Sequence, residues 1–263
     1  MKKERADKVL AARNLAPSCE KAQALIMAGR VYSAGARVEK PGQLIGPEAD
    51  LSVAAPPRYV GRGGMKLEEA LEAFAIPVEG KIAADLGSST GGFTDCLLKR
   101  GARKVYAVDV DVKQIDCRLR GDPRVVLLEK NARNLNKTDF PDPPDIVTMD
   151  LSFISVLKVL PAVREFLAGG DLITLLKPQF EAAKGLVGKK GVIRDPAAHR
   201  EILENVLVSG QSLGFFARSL IKCSTRGQKG NREFFVHWRL GGEANRSAEL
   251  AALVKERVDE ENH

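Results

Sequence analysis

One stretch constrains the fold of this chain more than any other: Lys81-Ile-Ala-Ala-Asp-Leu-Gly-Ser-Ser-Thr-Gly-Gly-Phe-Thr-Asp95. It begins with a short apolar run that ends in an acid, continues through a glycine-rich turn, and ends in a segment with helical spacing of apolar residues. Strand, turn and helix in this order form the first unit of a doubly wound α/β sheet. Because ligands of such sheets bind at the carboxyl ends of the strands, the turn is a predicted binding site.

The turn also indicates which ligand would bind. Its spacing matches neither the dinucleotide fingerprint G-x-G-x-x-G nor a phosphate loop, since the lysine of the latter is absent. Asp85, just before the turn, suits a ligand with an amino group or positive charge, and Asp109 ends the next apolar run, where a carboxylate binds ribose hydroxyls. Together these features suggest S-adenosylmethionine, and the alternative is an ordinary Rossmann-like turn without a ligand.

The predicted cofactor site combines the turn with the ends of the first three strands. Asn131 is included as a candidate near the adenine, on its position after the third strand alone. The full set is Asp85, Gly87, Ser88, Ser89, Thr90, Gly91, Gly92, Phe93, Asp109 and Asn131.

Composition narrows the class of protein. With 263 residues, 44% of them hydrophobic and 29% charged, we expect a packed core with one large and one small domain. The apolar runs are too short to span a bilayer, and the first residues lack the apolar stretch of a secretory signal. The four cysteines lie far apart without a C-x-x-C pair, so we expect no disulfide framework, no metal site and a cytoplasmic location. The net charge of +7 indicates a polyanionic partner.

Residues 1–55 form a predicted small basic α+β domain with two short helices and a strand–turn–strand segment. Residues 1–65 contain eleven Lys and Arg against six Asp and Glu, so most of the excess positive charge lies here. Charge alone leaves RNA binding and an ordinary solvated surface equally open. The candidate RNA-binding residues are Arg5, Arg13, Lys21, Arg30, Arg37, Lys40 and, just beyond, Arg62.

A family resemblance favours RNA. Arg5-x-Asp7, Leu15-Ala-Pro-Ser18, Ala28-Gly-Arg-Val31 and Val38-x-Lys-Pro41 together resemble the RNA-binding domain named after ribosomal protein S-four, over roughly residues 3–53. The resemblance implies binding of structured RNA through the face formed by the two helices.

The rest of the chain alternates strands and helices. Pro56-Pro57 opens a predicted linker over residues 56–65, a catalytic domain follows over 66–242, and a charged tail that we expect to be a frayed helix occupies 243–263. The fold class is therefore α/β, with a Rossmann-like methyltransferase sheet that ends in an antiparallel hairpin, preceded by the small domain. The predicted strands are Ile82–Asp85, Lys104–Asp109, Arg124–Leu128, Asp145–Asp150, Leu172–Lys177, Phe215–Lys222 and Glu233–Leu240, and the clearest helices are Ile154–Phe166 and Pro196–Leu213.

Two polar residues close apolar strands where chemistry is expected. Asp150 ends one strand and Lys177 ends the next. A lysine at such a place is partly removed from water, which favours the neutral amine that a general base requires, and a nearby carboxylate would orient it. An amino methyltransferase would show an Asn/Asp-Pro-Pro-aromatic motif, and Asp150-Leu-Ser-Phe153 lacks those prolines. The pattern favours proton abstraction from a hydroxyl, while the alternative is a lysine that merely extends from a strand end to water.

The motifs together resemble the TlyA, or haemolysin A, family of ribosomal-RNA ribose 2′-O-methyltransferases. The resemblance implies a catalytic tetrad of Lys66, Asp150, Lys177 and Glu233, S-adenosylmethionine as cofactor, and a cytidine of ribosomal RNA, free or in subunits, as substrate. The motifs that carry it are Arg62-Gly-Gly-Met-Lys-Leu67, Asp85-Leu-Gly-Ser-Ser-Thr-Gly-Gly-Phe-Thr-Asp95, Asp150-Leu-Ser-Phe-Ile-Ser155, Leu176-Lys-Pro-Gln-Phe-Glu181 and Gly230-Asn-Arg-Glu-Phe234.

The chain departs from the family pattern at two places. Gly61 stands where the family has serine, and the segment after Asp109 leaves open whether Asp109 or Asp111 binds the cofactor ribose. The alternative function is that of an RNA-binding assembly factor with little catalysis. A membrane-lysing function is not expected, because the sequence contains no amphipathic or membrane-spanning segment that would support a pore. Neither the methylated nucleotide nor the oligomeric state follows from the sequence.

Overall fold

The structure is a computed structural model, which describes residues 3–167, 169–182, 188, 191–241 and 247–259. The chain divides into two compact units, Met1–Pro57 and Arg58–His263. None of the described helices is long and apolar enough to cross a membrane.

The first unit packs two helices against short strands. Ser18 accepts a hydrogen bond from the backbone N–H of Lys21 and so caps the second helix. Ala6, Leu10 and Ile26 are buried between the helices and the strands. The elements are β1 Glu4–Arg5, α1 Ala6–Ala12, α2 Cys19–Met27, β2 Val31–Ser33, β3 Ala36–Arg37, β4 Leu44–Ile45 and β5 Leu51–Val53. Strands β2 and β3 pair antiparallel, which confirms the predicted strand–turn–strand segment.

The second unit is built on a seven-stranded sheet. Its strands are β6 Ile82–Leu86, β7 Lys104–Asp109, β8 Val125–Glu129, β9 Ile146–Met149, β10 Asp171–Leu176, β11 Phe215–Lys222 and β12 Phe234–Leu240. In space the order is β11-β12-β10-β9-β6-β7-β8; β12 pairs antiparallel with both neighbours, while the pairs from β10 to β8 are parallel. This is the predicted Rossmann-like sheet with its terminal hairpin.

Helices cover the sheet. They are α3 Gly63–Ala73, α4 Gly92–Lys99, α5 Cys117–Arg120, α6 Leu160–Phe166, α7 Pro178–Glu181, α8 Pro196–Ser212 and α9 Ser247–Asp259. Every residue of β6 and β10 is buried, which explains why these strands are continuous apolar runs rather than alternating ones. The strand order reverses direction near the middle of the sheet. The chain proceeds from β6 to one side through β7 and β8, and then to the other through β9 and β10. The strand order therefore reverses between β6 and β9, where a doubly wound sheet opens a crevice for ligands.

Most predicted strand bounds agree with the structure to within one residue. The predicted helix Ile154–Phe166 is interrupted: Val156–Lys158 form a 3-10 turn, and α6 begins only at Leu160. Pro161 lies in the first turn of α6, the place where its missing N–H costs nothing.

The structure differs from the predicted domain borders at both ends of the second unit. Tyr59 is buried and Val60 donates its N–H to Asp95 Oδ2 over 2.8 Å, so the second half of the expected linker belongs to this unit. In the expected frayed tail, α9 buries Leu250, Val254 and Val258 in the core of the sheet layer. The described part of the tail is therefore a packed helix, because its apolar residues recur at intervals of four. Residues 242–246 and 260–263 of that prediction lie outside the described residues.

Candidate active site

The glycine turn after β6 has a backbone that only glycine accommodates well. Gly87 has φ +88°, and a Cβ there would lie 2.4 Å from the carbonyl oxygen of Asp150. Gly91 has φ +95°, and a Cβ there would lie 2.2 Å from Leu119 Cδ1. With these conformations Gly87 packs directly against the segment after β9, and Gly91 is the residue that precedes the first turn of α4.

A cavity of about 490 Å³ lies above this turn, within the size range of small-ligand sites. Five segments of the second unit contribute to it: the start of α3, the glycine turn, the segments after β9 and β10, and the loop before β12. From the predicted set, the cavity is lined by Arg62, Lys66, Gly87, Ser88, Ser89, Thr90, Gly92, Phe93, Asp150, Lys177 and Glu233.

Two lysine–carboxylate pairs face this cavity. Lys66 Nζ donates to Glu233 Oε2 over 2.5 Å, and Lys177 Nζ lies 2.5 Å from Asp150 Oδ1. Lys177 Nζ also donates to Ser152 Oγ over 3.3 Å. The two lysine side chains keep only 15% and 12% of their surface exposed, so both pairs are largely screened from bulk water. The four residues of the predicted tetrad are thus brought together.

Glu233 lines the cavity together with the loop that precedes β12. A Cβ at Gly227 would lie 1.9 Å from Glu233 Oε1, so the loop leaves room for the carboxylate only because glycine stands there. Glu233 itself is buried, and 167 positions separate it from Lys66 along the chain. The packing of this loop, rather than any local pattern, creates the pair.

Asp85 lies beneath the glycine turn, and its predicted role at the cofactor stays a prediction. It is fully buried, with Thr94 donating to one carboxylate oxygen over 2.7 Å and Thr148 donating to the other over 3.1 Å. Burial raises the pKa of Asp85 to about 7. The carboxyl group does not line the cavity; it fastens β6 to α4 and β9 beneath the glycine turn.

The other predicted cofactor residues at strand ends stabilise loops. Asp109 accepts hydrogen bonds from the backbone N–H groups of Ser89 and Asp111, over 2.8 and 3.1 Å. The first of these bonds holds the glycine turn in place. Asp111 and Asn131 cap the 3-10 helices that follow them. None of these three residues, nor Gly91, lines the cavity, and ribose contacts by Asp109 or Asp111 stay predictions.

The cavity provides the features that a bound cofactor would need. Ser88 Oγ and Gln179 Oε1 are buried, and neither has a hydrogen-bond partner among the described residues. Both residues line the cavity beside the glycine backbone. Unpaired buried polar atoms are rare because each costs free energy, and a polar ligand in this cavity would satisfy them. The residues present therefore fit S-adenosylmethionine.

Sequence reasoning missed an aromatic pair at the cavity. Phe153 is 90% exposed and has φ +63°, a left-handed conformation that is rare for a bulky residue. Its ring lies 5.1 Å from that of Phe180, centroid to centroid. Both rings follow the polar strand-end residues Asp150 and Lys177 by three positions, which is the signal that could have identified them.

The predicted RNA-binding cations of the first unit fall into three groups. Arg13 and Arg30 donate to the backbone carbonyls of Ala49 and Ala54, so they stabilise the unit itself. Arg5 pairs with Asp7 at 2.7 Å, and Arg37 approaches Glu39 at 3.9 Å. Lys21 and Lys40 are exposed, and none of the ion pairs among the described residues includes them. RNA contacts by any member of the predicted set stay predictions.

The two units of the chain match two different domain models. Residues 4–51 match the S4 domain, and residues 59–240 match the FtsJ-like methyltransferase model. The chain belongs to the FtsJ-like methyltransferase family. The second match spans the glycine turn, both lysine–carboxylate pairs and the whole of the sheet from β6 to β12.

Several proteins of nearly equal length are similar to most of this chain. A 16S/23S rRNA (cytidine-2′-O)-methyltransferase, TlyA, of Mycobacterium tuberculosis is 41% identical over 90% of this chain and 90% of that protein. A protein of Brachyspira hyodysenteriae named Hemolysin A is 41% identical over 89% of this chain and 99% of its own length. The solved structure of a candidate hemolysin from Streptococcus thermophilus superposes with a TM-score of 0.74, at 37% identity, over 97% of this chain and 96% of that one.

Proposed function

We propose that this chain transfers a methyl group from S-adenosylmethionine to a ribose 2′-hydroxyl of ribosomal RNA, with cytidine as the target nucleoside. The observation that carries the proposal is the pair of lysine–carboxylate contacts at one cavity, beside a glycine turn, in an FtsJ-like fold. The choice of cytidine follows the relatives, two of which are named for cytidine-2′-O-methylation of rRNA. A ribosomal-RNA substrate would place the activity in the cytoplasm.

The glycine turn and its flanking hydroxyls would hold the cofactor. Ser88, Ser89 and Thr90 present polar groups to the cavity, and Ser88 Oγ is the buried atom that lacks a partner in the described structure. The N-terminus of α4 adds free N–H groups beside Gly92. When bound, S-adenosylmethionine supplies an electrophilic methyl group on a sulfonium sulfur.

Lys177 is the residue placed to accept the proton of the ribose hydroxyl. The hydroxyl must lose its proton as the oxygen forms a bond to the methyl carbon, and the neutral amine of Lys177 would take that proton at Nζ. Asp150 and Ser152 hold Nζ from two sides, at 2.5 and 3.3 Å, which fixes its direction. Most of the acceleration would come from this positioning, because the displacement requires an in-line approach.

Lys66 and Glu233 would prepare the same cavity for the substrate. The buried carboxylate of Glu233 holds Lys66 Nζ at 2.5 Å, so the ammonium group keeps one position at the cavity wall. A fixed positive charge there favours the alkoxide character that develops on the ribose oxygen. Glu233 therefore acts by positioning Lys66, whereas Lys66 acts on the reacting oxygen.

The surface around the cavity suits a nucleotide. The exposed ring of Phe153, backed by Phe180, offers a flat apolar face, and bases stack on such faces. Arg62 lines the cavity and is exposed, so it can approach a phosphate. The separate S4 unit supplies further exposed cations for RNA.

The proposal is tested by methyl transfer to ribosomal RNA. Purified chain, tritiated S-adenosylmethionine and rRNA or ribosomal subunits should give labelled RNA, and mapping should locate the label at a ribose 2′-oxygen of cytidine. Cofactor binding without any transfer to RNA or subunits would instead support an RNA-binding assembly factor. A label on a base rather than a ribose would contradict the assigned chemistry.

A further inference from the structure

A second concave surface adjoins the catalytic cavity in the methyltransferase unit. Its volume is about 400 Å³, and four of its seven lining residues are cations, namely Arg194, Arg226, Lys229 and Arg232. Val192, Ile193 and Gly230 complete the wall, and no acid lines it. We call this surface the basic pocket. None of the functional residues predicted from the sequence lies in it.

The charges of the basic pocket are not neutralised by the protein. Within the described part of the chain, none of its four cations forms an ion pair with a carboxylate. Arg226 donates to the carbonyl of Gly230 over 3.3 Å, which leaves most of its guanidinium donors free. Asp195, which follows Arg194 in the chain, does not line the pocket; its carboxylate accepts a hydrogen bond from the N–H of Ala197 and so caps α8. Like charges held together repel, so this arrangement favours an anion between them.

The walls of the basic pocket are fixed by a buried side chain. Asn231 donates from Nδ2 to the carbonyl of Gly191 over 3.0 Å and accepts from the N–H of Ile193 over 3.3 Å. Its backbone carbonyl accepts from Gly227 over 2.9 Å. These bonds tie the segment before α8 to the loop before β12, so the cations stand on a preorganised frame. Lys229 adopts φ +57°, a left-handed conformation that is uncommon for residues other than glycine.

The basic pocket and the catalytic cavity share a wall. Arg226 lines both, and the loop that carries it also carries Glu233 into the catalytic cavity. A polymer with its reacting ribose in the cavity would therefore place a neighbouring group in the basic pocket. In RNA the groups that flank every ribose are phosphates, each with one negative charge.

We propose that the basic pocket binds a backbone phosphate of the RNA strand next to the nucleotide that is methylated. The inference rests on the proposed function and adds a subsite outside the S4 unit. It assigns Arg194 and Arg232 to phosphate binding and leaves the chemical step to the tetrad. Such contacts fix the register of a strand without reading its sequence.

The test uses the full chain with both arginines removed. In Arg194→Gln/Arg232→Gln the affinity for transcribed rRNA, measured by fluorescence anisotropy, should fall roughly tenfold, with the slope of log Kd against log salt lower by about one, for the single phosphate that the pocket binds. S-adenosylmethionine binding, measured by calorimetry, should not change. The matched control is Arg218→Gln, an exposed arginine of β11 that lines neither surface and should leave RNA affinity unchanged.

Wild-type RNA affinity and salt slope in the double variant would overturn the inference, as would equal weakening in the Arg218→Gln control. A second experiment measures the binding of inorganic phosphate to the wild-type chain and to the double variant. If phosphate binds the wild-type chain but not the double variant, while RNA affinity is the same in both, the pocket takes a small anion and the RNA assignment is wrong. Methylation by the wild-type chain is scored separately, so a failure of the proposed activity is distinguished from a failure of this subsite.

Discussion

At the scale of single residues, position in the sheet decides what an acid or a lysine can do. Asp85 lies one residue before the end of β6 and is enclosed beneath the turn by two threonines, whereas Asp150 lies one residue after the end of the neighbouring β9 and contacts Lys177 at the cavity. The first carboxyl group therefore bonds to neighbouring elements of the fold, and the second lines the cavity. In the register of the two strands Asp85 lies opposite Thr148, two positions before Asp150, and this offset separates the two environments.

Lys177→Ala should lower the single-turnover rate of methyl transfer about a hundred- to ten-thousand-fold, the range that general-base catalysis contributes. RNA and cofactor should still bind, because the wall of the cavity keeps its other residues. Lys177→Arg should not restore the rate, since arginine keeps its proton at any working pH. The exposed Lys158→Ala is the control. Near-normal turnover in Lys177→Arg would exclude Lys177 as the base.

Asp85 should make stability depend on pH. Its pKa of about 7 lies above the value of 3.8 for an unperturbed carboxyl, so the native state binds more protons than the unfolded state between these values. The free energy of unfolding should therefore fall as pH rises from about 4 to 7, with a slope of up to about 1.4 kcal/mol per pH unit from this group. Asp85→Asn cannot ionise and should flatten that decline in urea denaturation series.

The control for this experiment is Glu165→Gln, which removes an exposed acid of α6. It should leave the slope unchanged. If Asp85→Asn and the wild-type chain lose stability in parallel across the same pH range, the buried carboxyl is not the titrating group.

At the scale of elements, the terminal helix α9 buries one apolar face although most of its residues are polar or small. Helix α9 is rich in acids and bases, yet Leu250, Val254 and Val258 lie on one side and are buried against the sheet layer. Arg200 of α8 and Asp259 of α9 add an ion pair at 2.5 Å between the two helices. The helix is thus part of the core that supports β11 and β12.

Leu250→Ala should lower the free energy of unfolding by about 2–5 kcal/mol, because it removes a fully packed side chain and leaves a cavity. Lys255→Ala, an exposed change on the same helix, should stay within about 0.5 kcal/mol of the wild-type chain. Chemical denaturation followed by circular dichroism provides both values. Equal stability of the two variants would contradict the packing of α9.

At the scale of the whole molecule, we propose that the first unit binds RNA and that the methyltransferase unit carries out the reaction. In the S4 unit Lys21 and Lys40 are exposed and form no ion pair among the described residues, and the methyltransferase unit carries the cavity. Each counterion released from RNA phosphates contributes to affinity, so binding by the first unit should weaken steeply with salt.

Lys21→Gln/Lys40→Gln should weaken rRNA binding and lower the salt slope by about one for each lysine, while cofactor affinity stays unchanged. Arg13→Gln should behave differently. Because its guanidinium donates to Ala49, the main effect should be a less stable first unit rather than a lower salt slope. Anisotropy across a salt series and calorimetry separate these cases. Unchanged salt dependence in the double lysine variant would remove these residues from the RNA interface.

The sequence by itself determined the elements and their order, because hydrogen-bonding propensity and apolar periodicity act over a few neighbouring residues. The strand–turn–helix at Lys81–Asp95 indicated the sheet, and the ends of β9 and β10 marked Asp150 and Lys177. Family motifs, rather than any local pattern, associated Lys66 with Glu233.

Only the tertiary structure decided which side chains reach the cavity. The sealing of Asp85 depends on Thr148, which is 63 positions away, and the contact between Lys66 and Glu233 spans 167 positions. The basic pocket forms where Asn231 joins two distant loops, and no short-range pattern encodes such a contact. Burial and pairing are properties of packed surfaces, so they exist only once the sheet, its helices and its loops have come together.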